Sequence, residues 1–402
     1  METILSRRIS QIKPSPTLSL SAAAHKLKAA GKSIINLTVG EPDFDTPSGI
    51  KQAAHLAITE GLTKYTAVDG TVELKQAIID KFKRENQLLY QPQEVIVSTG
   101  AKQSIYNLMQ VLLNPGDQVI IPAPYWVSYP DMARLAEAEP VIIHTNIQQN
   151  LKMSAEQLAA SITPKTRLLI INSPSNPTGM VYNHSELEKL SEILRQHPQI
   201  LILTDDIYEH IYWGSSVFEN IVNVCPELST RTIVLNGCSK AYAMTGWRIG
   251  FAAGPQNIIH AMANLQSQST SSPNSIAQAA ATAALTGDQA CVKNMNAIYK
   301  KRHEFFLNGL NAIPGVNCLP AQGAFYCFPS FECFIGENKA FTDDSQLAAY
   351  LLDQAGIATV PGSAFGTPNH LRLSFATSEA NLSLALEKLR NALASLHKTK
   401  TT

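Results

Sequence analysis

Lys240 sits in Gly237-Cys-Ser-Lys-Ala-Tyr-Ala-Met-Thr-Gly-Trp-Arg-Ile-Gly250, a run of small, mostly uncharged residues after the apolar stretch Thr232-Ile-Val-Leu-Asn236. A lysine among such neighbours gives up its proton more readily than a solvated one. The neutral amine can attack a carbonyl and form a Schiff base. Arg248 follows eight residues later, and its planar, permanently charged fork suits a phosphate. An isolated lysine and arginine at this spacing are ordinarily solvated charges. The full pattern, small-Cys-Ser-Lys then Gly-x-Arg-Ile-Gly, is far more restrictive. It points to a ligand with both an aldehyde and a phosphate, as in pyridoxal 5′-phosphate.

Other residues extend this chemistry. Asp205 ends the apolar run Ile200-Leu-Ile-Leu-Thr204. A carboxylate there is poorly solvated and needs a cation. A protonated pyridine nitrogen about 4 Å away contributes roughly 4 kcal/mol at an effective dielectric of about 20, or about three pK units in favour of the protonated ring. That protonation lets the ring accept electrons. Asp206 is an adjacent competitor, and an ordinary strand-end acid is the plain alternative. Arg372 interrupts Leu371-Arg-Leu-Ser-Phe375; a buried arginine must be paired, and a substrate α-carboxylate or a structural acid would serve. Ser98-Thr-Gly-Ala-Lys-Gln103 joins a strand to a helix start, where free N–H groups favour an anion. Asn172-Ser-Pro-Ser-Asn-Pro-Thr-Gly179 is a rigid turn. Gly40, in Val39-Gly-Glu-Pro-Asp-Phe44, permits close backbone approach to a ligand.

These residues need elements to hold them. Glu94–Ser98, Gln118–Ile121, Arg167–Ile171, Ile200–Thr204 and Thr232–Leu235 are short apolar runs bounded by turn residues, as expected for strands buried on both faces. Helical patterns, Lys102–Leu113 and Trp126–Ala138 among them, alternate with them. The expected fold is α/β, with a mostly parallel sheet covered by helices on both faces. Ligands in such sheets sit beyond the carboxyl ends of the strands. Four polar segments fall there: Ser98–Lys102, Asn172–Gly179, Asp205–Tyr208 and the run around Lys240. After about Gly287 a long helical stretch and the short strands Ala324–Phe328 and Leu371–Phe375 suggest a smaller α+β domain. The expected division is 49–286 for the large domain and 287–402 for the small one, with 1–48 as an arm and part of the latter.

With 402 residues, two domains are expected. Thirty-two basic and 32 acidic residues leave no net charge, so no nucleic-acid or anionic-membrane partner is expected. No apolar run is long enough for a membrane helix, and the N-terminal Met-Glu-Thr-Ile-Leu-Ser-Arg-Arg has no secretory pattern. The six cysteines form no Cys-x-x-Cys pair and none sits at metal-ligand spacing beside histidine, so free thiols, no metal and a cytoplasmic location are expected.

Taken together, the lysine segment, Asp205-x-x-Tyr208, Asn176-Pro-Thr-Gly179, Gly100-Ala-Lys-Gln103 and Gly40-Glu-Pro-Asp-Phe44 resemble class I aminotransferases, the aspartate aminotransferase family, in family order from Gly40 to Arg372. The resemblance implies the fold-type I transferase fold and transamination of aspartate with 2-oxoglutarate, ping-pong through an internal aldimine on Lys240. It implies that Asp205 anchors the ring nitrogen, that Tyr208 and Asn176 meet the phenolic oxygen, and that Trp126 stacks on the ring. Gly100, Ala101, Lys102 and Arg248 are implied to hold the phosphate. Tyr65 is implied to reach the partner subunit's cofactor, which makes the protein a homodimer. Gly40, Trp126, Asn176 and Arg372 are implied to meet the substrate. No clear counterpart exists for the arginine that binds a side-chain carboxylate in another subgroup; Lys102 is the substitute, or else a phosphate ligand. Lys13 and Thr17, in Lys13-Pro-Ser-Pro-Thr17, resemble positions linked to prephenate, which leaves a prephenate or dual-specificity enzyme open, and less so an aromatic aminotransferase. A carbon–sulfur lyase or synthase on the same fold, or a non-catalytic regulator half, are the readings from other classes.

Overall fold

A computed structural model describes residues 5–12, 14 and 16–398. Lys13 lies outside the described residues; Thr17 falls on the helix Pro16–Ala29, and its side chain is outside them too. A two-residue strand, β1 (Ile35–Asn36), opens the chain's sheet structure. Seven strands then build one sheet: β2 (Val95–Thr99), β3 (Gln118–Pro122), β4 (Glu139–Ile143), β5 (Thr166–Asn172), β6 (Leu201–Asp205), β7 (Thr232–Gly237) and β8 (Ile249–Ala253). Their order is β2-β8-β7-β6-β5-β3-β4. Only β8 runs against its neighbours; the remaining pairs are parallel.

The strands are apolar on both faces because both faces are covered. Val95, Val97, Leu169, Ile171 and Ile202 enter one core, and Ile96, Leu168, Ile170, Leu201 and Leu203 enter the other. This is the α/β architecture expected from continuous apolar runs. Two strands escape the sequence pattern. Glu139-Pro-Val-Ile-Ile143 lies at the sheet edge and starts with an exposed glutamate and a proline, which edge strands tolerate. Ile249-Gly-Phe-Ala-Ala253 is rich in small residues that weaken a strand signal. The helix read over Trp126–Ala138 is shorter, Ser128–Leu135.

A further core gathers the long helix Ala290–Asn311, β9 (Tyr326–Cys327), β10 (Ile357–Ala358) and β12 (Leu371–Ser374), while Val360 of β11 (Val360–Pro361) packs in a smaller cluster with Leu151, Phe328 and Phe365. β12 pairs antiparallel with both β11 and β9, and β1 adds in parallel to β10. Among the described residues no helix is long and apolar enough to cross a membrane.

Candidate active site

Because β2, β5, β6 and β7 are mutually parallel in sense, their carboxyl ends share one edge of the sheet. β8 returns antiparallel, so its amino end arrives at that same edge: Thr99 pairs with Ile249 and Gly237 with Gly250. The single reversed strand thus brings Arg248 back to the lysine segment. Arg248 holds a left-handed φ of 57°, a cost met where surrounding structure fixes the chain.

A cavity of about 270 Å³ opens at this edge. Gly40, Ala101, Lys102, Trp126, Asn176, Asp205, Tyr208, Lys240, Arg248 and Arg372 all line it. Gly100 does not line it but shapes it. Its φ is +82°, and a Cβ there would lie 2.2 Å from Arg248 Nη2. A Cβ on Gly250 would lie 2.0 Å from the Ala101 nitrogen. Only glycine lets the strand-to-helix turn press against the arginine. Tyr65 is 93% exposed and is not part of this lining.

Lys240 is held at the centre, its Nζ donating to the Gly40 carbonyl oxygen at 2.6 Å. Burial pushes its ammonium down to about 8; Glu41 opposes this, while Arg248 and Arg372 reinforce it. The amine is therefore within reach of neutrality at physiological pH.

Asp205 faces the cavity from the end of β6. It accepts from the Tyr129 hydroxyl at 2.5 Å and from the Ile207 N–H at 3.3 Å. Burial nevertheless pushes its carboxyl up to about 6, so the site lacks a full counter-charge. Asp206 is turned elsewhere. Thr204 Oγ1 and Asn220 Nδ2 donate to its oxygens at 2.6 and 2.7 Å, and it does not line the cavity. Of the two competing acids, Asp205 is the one presented to a ligand.

Arg372 is buried and already orientated. Its Nη1 donates to Asn176 Oδ1 at 3.0 Å and its Nη2 to the Thr38 carbonyl at 2.7 Å. No carboxylate of this chain pairs with it among the described residues, and its Nε is buried without a partner. A buried guanidinium with only neutral acceptors is a site for an external anion. Lys102 Nζ lies 4.8 Å from the Trp126 ring centroid; partial burial and the Arg248 charge lower its proton affinity.

Two contributors were not visible in the sequence, and a third was visible only as part of a turn motif. Tyr129 hides as the third residue after Trp126, with nothing to separate it from a core aromatic. Tyr326, whose hydroxyl is 2.8 Å from that of Tyr208, reads as one more apolar strand residue. Asn172 Oδ1 accepts the Asn176 N–H at 2.8 Å while its Nδ2 donates to the Asp205 carbonyl at 2.9 Å, fastening two strand ends together. The motif contained Asn172, but its role needed the β5–β6 register, where it faces Asp205.

Comparison with known proteins places nearly the whole chain among relatives. The profile of the class I and II aminotransferases matches residues 32–389. The chain is 55% identical to the aspartate/prephenate aminotransferase of Nitrosomonas europaea, over 97% of this chain and 99% of that one. The solved structure of the aspartate aminotransferase from Rhizobium meliloti superimposes with a TM-score of 0.94 at 47% identity, covering 97% of this chain and 99% of that one. That of Thermus thermophilus aspartate aminotransferase with maleate gives 0.92 at 41% identity, covering 97% and 100%. A buried amine, a buried acid facing the cavity and an arginine with no carboxylate partner among the described residues share one sheet edge, and the family profile and a relative 55% identical cover nearly all of the sequence: this chain belongs to the class I and II aminotransferase family.

Proposed function

We propose that the protein transfers the amino group of L-aspartate to 2-oxoglutarate, giving oxaloacetate and L-glutamate, with pyridoxal 5′-phosphate as cofactor. The carrying observation is the convergence of Lys240, Asp205 and Arg372 on one cavity. The donor set suits that cofactor. An amine that is readily deprotonated is offered to an aldehyde, and an under-compensated buried carboxylate to a pyridine nitrogen. A glycine cradle at Gly100, beside Arg248 and the start of the helix Ala101–Leu112, is offered to a phosphate. When bound, pyridoxal phosphate supplies an aldehyde for the amine and a ring that takes up the electrons released at the substrate α-carbon.

The chain's own residues then divide the work. Arg248, Gly100 and Ala101 would hold the phosphate, Trp126 would cover the ring face, and Asp205 would keep the ring nitrogen protonated. Tyr208 and Asn176 address the phenolic oxygen. Arg372 clamps the α-carboxylate bidentately, with Asn176 beside it and the Gly40 backbone closing the other side. With the cofactor bound, Lys240 Nζ would take the proton from the substrate α-carbon and give it to the former aldehyde carbon, across the nitrogen, as base and then acid. A single α-carboxylate clamp makes the two substrates use the pocket in turn.

Lys102, exposed beside Trp126, is the candidate for the distal carboxylate, with a phosphate contact as the alternative. Tyr65 serves the partner subunit of a homodimer; its 93% exposure, apart from its own cavity, supports this. Residues 49–286 form the cofactor-binding domain, and 287–402 with the β1 arm form the small one, a reading supported by the β1–β10 pairing. Six free cysteines support a reducing, cytoplasmic setting.

A second reading, dual aspartate/prephenate specificity, is favoured by the likeness to the aspartate/prephenate aminotransferase of Nitrosomonas europaea and by Lys13 and Thr17. One comparison separates these readings: kcat/KM for aspartate, prephenate and phenylalanine, with product analysis. The proposal expects oxaloacetate from aspartate and no elimination product. Prephenate within about tenfold of aspartate selects dual specificity, and loss of prephenate turnover in Lys13→Ala and Thr17→Ala would assign those residues. If Lys102→Ala lowers acidic and aromatic substrates equally, its distal-carboxylate role is wrong.

A further inference from the structure

Tyr326 has no part in the chemistry described above, yet it touches three groups that do. It is fully buried. Its hydroxyl lies 2.8 Å from that of Tyr208, and its ring centroid 4.5 Å from the Arg372 guanidinium. Its oxygen stands 3.2 Å from the position a Cβ on Gly40 would take. Strand register explains this placement. Tyr326 on β9 pairs with Ser374 on β12, so Arg372, two residues along, is its diagonal neighbour on the same face.

Proton counting gives the contact a direction. A tyrosine hydroxyl has one proton to donate. With the pocket loaded, Tyr208 spends that proton on the ring oxygen, so Tyr326 must be the donor within the pair. A hydroxyl whose oxygen accepts a hydrogen bond is in turn the stronger donor. Meanwhile the same ring lies against Arg372, where a cation–π contact restrains the guanidinium plane, and Asn176 and Thr38 fix its two ends. We infer that Tyr326 is a positioning residue that ties the Tyr208 hydroxyl to the Arg372 guanidinium, so that one side chain sets both ring-oxygen hydrogen bonding and α-carboxylate binding. This inference rests on the proposed function.

Two variants of the holoenzyme test it, because they remove different parts of the side chain. Tyr326→Phe deletes the hydroxyl and keeps the ring; Tyr326→Leu deletes both. The readouts are the pKa of the cofactor's visible band, KM and kcat for aspartate, and the thermal midpoint. Tyr326→Phe is expected to raise the band's pKa, a change of roughly two- to tenfold in the underlying equilibrium, the scale of one hydrogen bond. Its KM should stay within about twofold. Tyr326→Leu is expected to raise the band's pKa likewise and KM by roughly tenfold or more. The inference is overturned if the Phe variant's band titrates as in wild type, or if the Leu variant keeps the wild-type KM. A lower thermal midpoint with an unmoved band leaves Tyr326 a packing role only, which also overturns it. A wild-type protein that binds pyridoxal phosphate with no visible band contradicts the proposed function instead.

Discussion

The two ends of the cavity are built on different terms. At one end Asp205, Tyr208, Asn176 and Arg372 are buried, and each is held by a named partner: Tyr129, Tyr326, Asn172 and the Thr38 carbonyl. At the other end Arg248 and Lys102 are exposed; Arg248 Nη1 donates to the Thr245 carbonyl at 3.0 Å, and Lys102 rests over Trp126. Most of these buried polar groups already have partners within the protein, so the first end is preorganised, with the Arg372 Nε and the Asp205 charge left for a ligand. Solvated cations carry no such requirement, and their partner can come from outside. The difference implies a division of labour. The buried end should govern acid–base chemistry and orientation, and the exposed end should govern retention of the phosphate.

That contrast can be broken by mutation. The largest effect is expected for Asp205→Ala, which removes roughly 4 kcal/mol of support for the protonated ring and should lower kcat about a thousandfold. Arg372→Ala should raise KM for aspartate by roughly a hundredfold or more, the scale of truncating one member of a buried charged pair. Both are read by steady-state kinetics on the loaded enzyme. Arg248→Ala should instead weaken retention of pyridoxal phosphate by roughly tenfold, with kcat at saturating cofactor nearly intact. Equilibrium dialysis at two salt concentrations checks this, since a solvated contact is screened. If Arg248→Ala depressed kcat as deeply as Asp205→Ala, the two ends would not be distinct. The smallest expected effect is on pH. Burial holds the Lys240 ammonium down to about 8, and only the neutral amine attacks. The rate at which cofactor-free protein captures pyridoxal phosphate should therefore rise with pH and level off above about 8, as followed by visible absorbance.

Legibility in the sequence followed the same boundary. The strands β2, β3, β5, β6 and β7 were readable because burial on both faces demands unbroken apolar runs, which end at polar residues. Lys240, Asp205 and Arg372 stood out because a charge beside such a run needs a reason. β4 and β8 were not readable, since an edge strand and a strand of small residues lack that signature. Tyr129 and Tyr326 were hidden for a related reason. A tyrosine in a core is unremarkable until the fold shows what its hydroxyl meets, and both partners are distant in sequence, Asp205 and Tyr208. Arg248 was readable as a candidate phosphate ligand, but its return to the lysine depends on the antiparallel turn of β8, which no local pattern encodes.

The central claim is that Lys240 carries the reaction, and one measurement addresses it directly. Lys240→Ala, loaded with pyridoxal phosphate, is assayed for oxaloacetate formation from aspartate and 2-oxoglutarate. Without the amine that moves the α-proton, kcat should fall by at least about a hundredfold, the lower scale of general acid–base catalysis, while the thermal midpoint stays close to wild type. Turnover at the wild-type rate would contradict the account.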